Sequence, residues 1–425
     1  MQIKSIEIQN YRGIQQVQVN FEKGINLLIG NNGAGKTSLL TAIGIALSAP
    51  LQWIPKAPTS RLSEMEDVAY MITNVIGEGV VQTEPQYPVI IKSIINLEGS
   101  DYSTYHVKEN AVDQAKSKDY DLYEYYKDNF GKGNCGMPLL CFLRAGREKT
   151  IKQRAVSVQL ATGEVERIRA YQGSFDENLN FADIQNWCVQ MEFSAFQRKQ
   201  ELPVYAAFKS IVNRFISLMD EEAIEPQIYY SSIEGAIVYF DGKKELPIHM
   251  LSAGYQAIIC MIIELAYRAA ILNPGLKDIA SNTEGVVLID EIDMHLHPAW
   301  QWKILNALKK TFPKVQFIIA THSPVILSSA NDAALFLMSD PNNIIRVPNA
   351  YGYTINEVLT LRQGTSNVPK EISEYYDEAE RLLDGGDEKG LDALLKKAEI
   401  AFKDSSDVLN SFKEFVEINR WVEDA

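Results

Sequence analysis

The segment Gly30-Asn31-Asn32-Gly33-Ala34-Gly35-Lys36-Thr37-Ser38 fills the pattern G-x-x-x-x-G-K-[ST] in full. A glycine-rich turn of this kind lets successive backbone N–H groups close around phosphate oxygens. The helix that starts behind it turns its positive end toward the same anion. Lys36 has the reach to meet β and γ phosphates, and the Thr37 hydroxyl is the type of group that ligates Mg²⁺. ATP with Mg²⁺ is therefore the expected ligand. A second element lies far downstream. Gly285-Val286-Val287-Leu288-Ile289 is an apolar run that ends in Asp290-Glu291. Asp290 stands where a P-loop nucleotidase keeps its metal-linked acid, and Glu291 is placed to polarise an attacking water as a general base. An acidic strand end without a ligand is the bland alternative, and the complete phosphate loop upstream weighs against it.

Two further segments fit the same chemistry. Val315 to Ala320 reads as a buried strand that runs into Thr321-His322-Ser323-Pro324. A histidine directly after a parallel strand can point into the crevice at the strand ends and hydrogen bond a γ phosphate; a histidine satisfied within its own turn is the competing reading. Leu251-Ser252-Ala253-Gly254-Tyr255-Gln256 opens a helix with Ser252 at its N-cap.

The elements that must carry these residues are legible in outline. Residues 4–11 alternate polar and apolar as a half-buried strand does, and 25–29 form a short apolar run that suits a central strand. A helical period follows over 38–47. Residues 87–97 and 102–107 read as a hairpin around Glu98-Gly99-Ser100-Asp101. A short aromatic-rich helix is expected over 119–130, a strand over 138–143, amphipathic helix over 175–220, and strands over 228–230 and 235–240. From residue 251 the order becomes regular: helix 254–272, strand 285–290, helix 298–311, strand 315–320, and strands over 332–338 and 343–347. Residues 370–425 have helical spacing, interrupted by Gly385-Gly386.

With 425 residues, of which 46% are hydrophobic and 23% charged, the chain is too long for one simple domain and has ordinary globular composition. The net charge of −14 and a pI near 5.0 argue against a protein that coats nucleic acid generally, though not against a local basic groove. Of that charge, −8 falls in residues 370–425, where 16 acidic side chains face 8 basic ones. The four cysteines show no CxxC spacing, so neither a zinc ribbon nor a disulfide framework is expected. The N-terminus lacks an apolar signal core. The longest apolar stretch, 257–272, is broken by Glu264 and Arg268 and falls short of the ~20 residues of a membrane span. No membrane association and a cytoplasmic location are expected.

The order of phosphate loop (30–37), Leu251–Gln256, Asp290-Glu291 and His322 resembles the head of an ABC-type ATPase, on the RecF, SMC and OLD-like branch rather than among transporters. Leu251 to Gln256 departs from the usual LSGGQ at Ala253 and by the additional Tyr255. The stretches LSAGYQAIICMIIELAYRAAILNP, GVVLIDEIDMHLHPAWQ and FPKVQFIIATHSPVIL resemble a bacterial subfamily of stand-alone ABC-type ATPases, members of which serve as the ATPase subunit of Septu-type antiphage defence systems. The resemblance spans residues 1–365. It implies an α/β ABC-type P-loop head with an inserted α/β lobe and a C-terminal helical tail. The parts are then an N-terminal head segment (1–48), a lateral lobe that partly completes the head (49–245), a C-terminal head segment (246–365) and an acidic helical tail (366–425). It further implies ATP hydrolysis by two heads paired head to tail. Each ATP lies between the phosphate loop of one copy and the Ser252–Gln256 segment of the other, with Glu291 activating water and His322 sensing the γ phosphate. A glutamine near Mg²⁺ is implied as well, for which Gln172 is the candidate. Arg12 matches the family's first strand; approach to the nucleotide and a surface salt bridge both remain open for it.

Other signals divide less clearly. His295 and His297 alternate as a metal pair might be spaced, yet only Asp293 offers a third donor nearby and zinc is not expected. Residues 144–169 hold seven basic side chains (Arg144, Arg147, Lys149, Lys152, Arg154, Arg167, Arg169) against three acidic ones. DNA phosphate, an acidic partner face, ATP phosphate and plain solvent are all open to them. No heptad run fills the stretch from Thr37 to Leu251, so long SMC-type coiled coils are not expected. The residues after His322 are too few for an appended TOPRIM nuclease. The expected function is an ATPase subunit that dimerises around ATP and regulates or scaffolds a separate nuclease, of HNH type. A RecF-like DNA repair ATPase without a nuclease is the alternative. A third reading pairs the same ATPase with a TOPRIM nuclease.

Overall fold

The computed structural model describes residues 1–48, 51, 65, 71–76, 80–118, 121–122, 124–125, 137–145, 164–175, 181–220, 225–363, 370–402 and 406–423. Most of the expected helix over 119–130, and Arg147, Lys149, Lys152 and Arg154 of the basic stretch, lie outside these residues.

The chain opens with β1 (Gln2–Tyr11), β2 (Ile14–Asn20) and β3 (Ile25–Ile29), then the phosphate loop and α1 (Lys36–Ser48). After β4 (Met71–Ile76) and β5 (Val80–Pro85) come β6 (Val89–Leu97), β7 (Ser100–Lys108) and β8 (Lys116–Ser117). The β6–β7 hairpin turns on two residues rather than four. Glu98 and Gly99 take φ values of 51° and 89°, and Leu97 pairs directly with Ser100. Positive φ at both turn residues matches the right-handed twist of the flanking strands. These strands build an antiparallel sheet of order β2-β1-β6-β7-β8.

β9 (Leu139–Leu143) leads to α2 (Glu164–Arg169), α3 (Phe181–Arg198) and α4 (Pro203–Met219), then to β10 (Gln227–Ser231), β11 (Ala236–Phe240) and β12 (Glu245–Pro247), which form a three-stranded sheet. The helical stretch expected over 175–220 is two helices. Lys199 turns to positive φ, and Pro203 starts α4 at a position where its missing N–H costs nothing.

The regular part follows as α5 (Ala253–Leu272), α6 (Ile279–Asn282), β13 (Gly285–Ile289), α7 (Pro298–Thr311), β14 (Val315–Ala320), α8 (Pro324–Ser329), β15 (Ala334–Asp340) and β16 (Asn343–Val347). The central sheet has the order β16-β15-β3-β14-β13-β9, parallel except for the edge strand β16. Every residue of β3, β9, β13 and β14 is buried, as expected of parallel strands covered on both faces. α1 packs on both the central and the antiparallel sheet, and for that reason residues 39–48 are buried all round. α5 is 20 residues long, longer than the apolar stretch read from the sequence, and is long and apolar enough to cross a membrane; 78% of that window is buried inside the protein. It is a core helix. Its Glu264 and Arg268 pair at 2.7 Å with both side chains almost wholly buried.

Residues 354–425 form a separate unit of α9 (Ile355–Gln363), α10 (Lys370–Asp384), α11 (Glu388–Ala401) and α12 (Ser406–Glu423). Its own core gathers Ala379, Leu383, Leu391, Leu394, Ala398, Phe412 and Val416. The Gly385-Gly386 break separates α10 from α11, which Asp387 caps through the Gly390 N–H at 3.0 Å.

Candidate active site

Parallel strands all end on the same side of a sheet, so the segments that follow β3, β13 and β14 emerge along one edge. These are the phosphate loop, Asp290-Glu291 and Thr321-His322. The loop needs its first glycine twice over. Gly30 has φ of 150°, and a Cβ there would stand 2.2 Å from the Met338 carbonyl oxygen.

Lys36 is buried, and its ammonium donates to the carbonyls of Gly30 at 2.8 Å and Asn31 at 3.0 Å. Burial pulls its pKa below the ordinary lysine value, against the charges of Asp290, Glu291 and Asp293, which push it up. One cation thus faces three carboxylates. The Thr37 hydroxyl donates to Asp290 Oδ2 at 2.9 Å, bringing together the two oxygen donors read from the sequence as metal ligands. Asp290 is buried, and its N–H continues the ladder to Leu143 O at 2.8 Å. Glu291, the next residue, is exposed and has φ of 48°. A non-glycine residue held in the left-handed region carries strain of order 1 kcal/mol, which surrounding structure must hold in place.

His322 has a pKa below the usual histidine value. Burial is the main cause and the Lys36 charge the next, opposed by Asp293, Glu291 and Asp290. Burial and the Lys36 charge thus favour the neutral imidazole. Asp293 fixes the backbone around it: Oδ1 accepts from the Thr321 hydroxyl at 2.6 Å and from the His322 N–H at 3.4 Å. Ser323 caps α8 through the Ile326 N–H and donates from its hydroxyl to Gln301 Oε1 of α7 at 2.5 Å. In the sequence Asp293 stands out only beside His295 and His297, and Gln301 carries no local signal of this contact. The signal for Asp293 was a carboxylate three residues past Asp290 inside a tight turn, where Met294 N–H returns to Glu291 O at 3.1 Å.

Arg12 reaches α1 rather than a surface carboxylate. Its Nη1 donates to Thr41 Oγ1 at 3.3 Å, one turn beyond Thr37. Gln172 is exposed on the turn after α2, where Arg268 Nη1 holds its carbonyl at 3.0 Å. Its side chain makes no hydrogen bond to Thr37 or Asp290. Within Leu251–Gln256 the residues separate. Ser252 and Ala253 are exposed at the start of α5, and Ser252 occupies the N-cap without a capping side-chain bond. Tyr255 turns inward to Asp220 and Trp300, and Gln256 Nε2 donates to the carbonyls of Leu251 and His249. Gly254 lies against the loop after Asp290, where a Cβ would be 2.5 Å from His295 O. His297 Nδ1 caps α7 by accepting from the Ala299 N–H at 3.3 Å. Of the basic stretch, Arg144 lies over the Phe142 ring and Arg167 Nε donates to Leu272 O at the end of α5.

A family model described as "AAA domain" matches residues 5–210, and a second, described as "AAA domain, putative AbiEii toxin, Type IV TA system", matches residues 191–328. The chain is similar to Retron Vc95 probable ATPase of Vibrio cholerae serotype O1 biovar El Tor, at 23% identity over 91% of this chain and 84% of that protein. It is also similar to Septu protein PtuA of Bacillus thuringiensis, at 26% identity over 91% of this chain and 90% of the relative. Among solved structures, an Smc head bound to the C-winged helix domain of ScpA superposes with a TM-score of 0.50 at 15% identity, covering 82% of this chain and 98% of that one. That likeness concerns the fold.

Proposed function

As an ATP-hydrolysing P-loop ATPase with an ABC/SMC-type head, this chain is, we propose, the ATPase subunit of a bacterial antiphage defence complex, dimerising around ATP and regulating or scaffolding a separate nuclease. The observation that carries the chemistry is the convergence of Lys36, Thr37, Asp290, Glu291, Asp293 and His322 at one sheet edge, with Thr37 and Asp290 in contact at 2.9 Å. The defence role rests on relatives of Septu and retron type that match nine-tenths of the chain.

In this reading the loop amides of 30–37 and the Lys36 ammonium bind the triphosphate. Thr37 and Asp290 offer the hard oxygens that suit Mg²⁺, which when bound would neutralise phosphate charge. Glu291 accepts a proton from the attacking water at its carboxylate. The neutral His322 donates one N–H toward the γ phosphate, and Asp293 holds that segment still. Ser252 and the open end of α5 serve the nucleotide held by a second copy. Gln172 would need to swing its exposed side chain toward the metal-binding pair to take part.

Expression with the genomic neighbours, followed by phage challenge, tests the role. Wild type should reduce plaque formation and Lys36→Ala should restore it, with a nuclease co-purifying. Equal plaque counts for both would contradict the defence reading. DNA-stimulated hydrolysis lost on charge reversal at Arg144, Arg147 and Lys149, without a copurifying nuclease, would favour the DNA-repair alternative.

A further inference from the structure

Tyr255 is the residue by which this chain's signature segment departs most from LSGGQ, and its side chain does not face the nucleotide edge. Its hydroxyl donates to Asp220 Oδ2 at 3.0 Å. Its ring lies 4.1 Å from that of Trp300 on α7 and 6.4 Å from that of Tyr239 on β11. Asp220 is the C-cap of α4, its own N–H returning to Ile216 O at 2.8 Å. An acid at a helix C-terminus is disfavoured by the negative end of the helix dipole. A carboxylate there gains from a donor, and the Tyr255 hydroxyl is one. Further contacts bind the same segment: Gln256 Nε2 donates to the carbonyls of His249 and Leu251, and Gly254 lies in close backbone approach to the His295 carbonyl. Thus α4, β11, α7 and the loop after Asp290 all meet the first turn of α5, whereas Ser252 and Ala253 remain exposed.

We propose that Tyr255 is a positioning residue, whose hydrogen bond to Asp220 and inclined ring contact with Trp300 fix the direction in which Ser252 and the first amides of α5 present themselves to the nucleotide of a second copy. The inference rests on the reading that Ser252 acts across a dimer. A merely structural tyrosine would affect folding stability; a positioning tyrosine affects turnover and ATP-driven pairing while ATP binding by the phosphate loop of its own chain stays intact. The two differ in which quantity moves.

The test uses the full chain in four variants: Tyr255→Phe, Asp220→Ala, Asp220→Asn and Ser252→Arg. ATP affinity by calorimetry, turnover, ATP-dependent dimer mass and melting temperature are measured for each. Tyr255→Phe and Asp220→Ala should each lower turnover by roughly tenfold, the loss expected for one hydrogen bond to a charged group, at unchanged ATP affinity. Their combination should be no worse than either alone, because both remove the same bond. Asp220→Asn keeps an acceptor and should recover most of the turnover. Wild-type turnover in Tyr255→Phe, additive losses in the double variant, or losses that track melting temperature alone would each overturn the proposal. Ser252→Arg separates the two levels. If it abolishes turnover while Tyr255→Phe does nothing, only the positioning role fails; if it leaves turnover unchanged, the reading across a dimer fails and the inference with it.

Discussion

The hydroxyl of Thr37 and the carboxylate of Asp290 meet at 2.9 Å although 253 residues separate them in sequence. Their contact joins the start of α1 to the end of β13 at the edge where β3, β13 and β14 all terminate. The side chains that surround it set the expected behaviour of the ATPase.

Lys36 is the buried cation of this edge, hydrogen bonded to the loop it follows. Lys36→Ala should weaken ATP binding by about a hundredfold, the loss of about 3 kcal/mol for a charge-assisted contact. Calorimetry with Mg-ATP checks this, and unchanged affinity would remove Lys36 from the phosphate site.

Asp293 supports His322 in two ways: it accepts from Thr321 and the His322 N–H, and its charge raises the imidazole pKa against burial and Lys36. Asp293→Asn keeps a hydrogen-bond acceptor but removes that charge, so the His322 pKa should fall further. With His322 already below the ordinary histidine value, its neutral form persists into mildly acid solution and is lost as pH falls through the depressed pKa. The acid limb of the turnover profile attributable to His322 should therefore lie below the range of an ordinary histidine in wild type and move lower still in Asp293→Asn. An acid limb that shifts upward in the variant would show that this charge assignment is wrong.

Gly254 has no room for a side chain beside His295 O. Gly254→Ala should lower stability by about 1–3 kcal/mol through overpacking and push the start of α5 away from the loop after Asp290. Denaturant unfolding and turnover measured together should both drop, while ATP affinity stays near wild type.

The buried pair Glu264–Arg268 ties α5 to its surroundings. Arg268 also donates to the carbonyls of Ala170 and Gln172 and to Ser174 Oγ, and Cys141 Sγ approaches Glu264 at 3.5 Å. Arg268→Ala leaves a carboxylate buried without its cation and should cost about 3–5 kcal/mol, read as a lower urea midpoint. An unchanged midpoint would contradict the buried-pair account.

The phosphate loop, the acidic end of β13 and the histidine after β14 were legible because each is a local pattern whose chemistry depends on neighbours in sequence. The α/β order after Leu251 was legible for the same reason: apolar runs and helical periods are local. The order of the central sheet was not. β9 pairs with β13 across 146 residues, and β3 lies between β14 and β15; such neighbours are chosen by packing of distant segments. Tyr255 and Gln256 were expected at the nucleotide because they sit in the signature, yet side chains on successive helix positions point in different directions, and theirs turn into the protein. Asp293 was missed since its role depends on Thr321 and His322, which arrive from another strand.

Glu291 is assigned to act on water within an ATP-bound pair of heads. Light scattering of the purified Glu291→Gln protein with Mg-ATP, alongside phosphate release, tests it most directly. Phosphate release should not exceed background, and a stable species of twice the 47.8 kDa chain mass should form. Phosphate release at the wild-type rate from a species that remains at the mass of one chain would contradict that assignment.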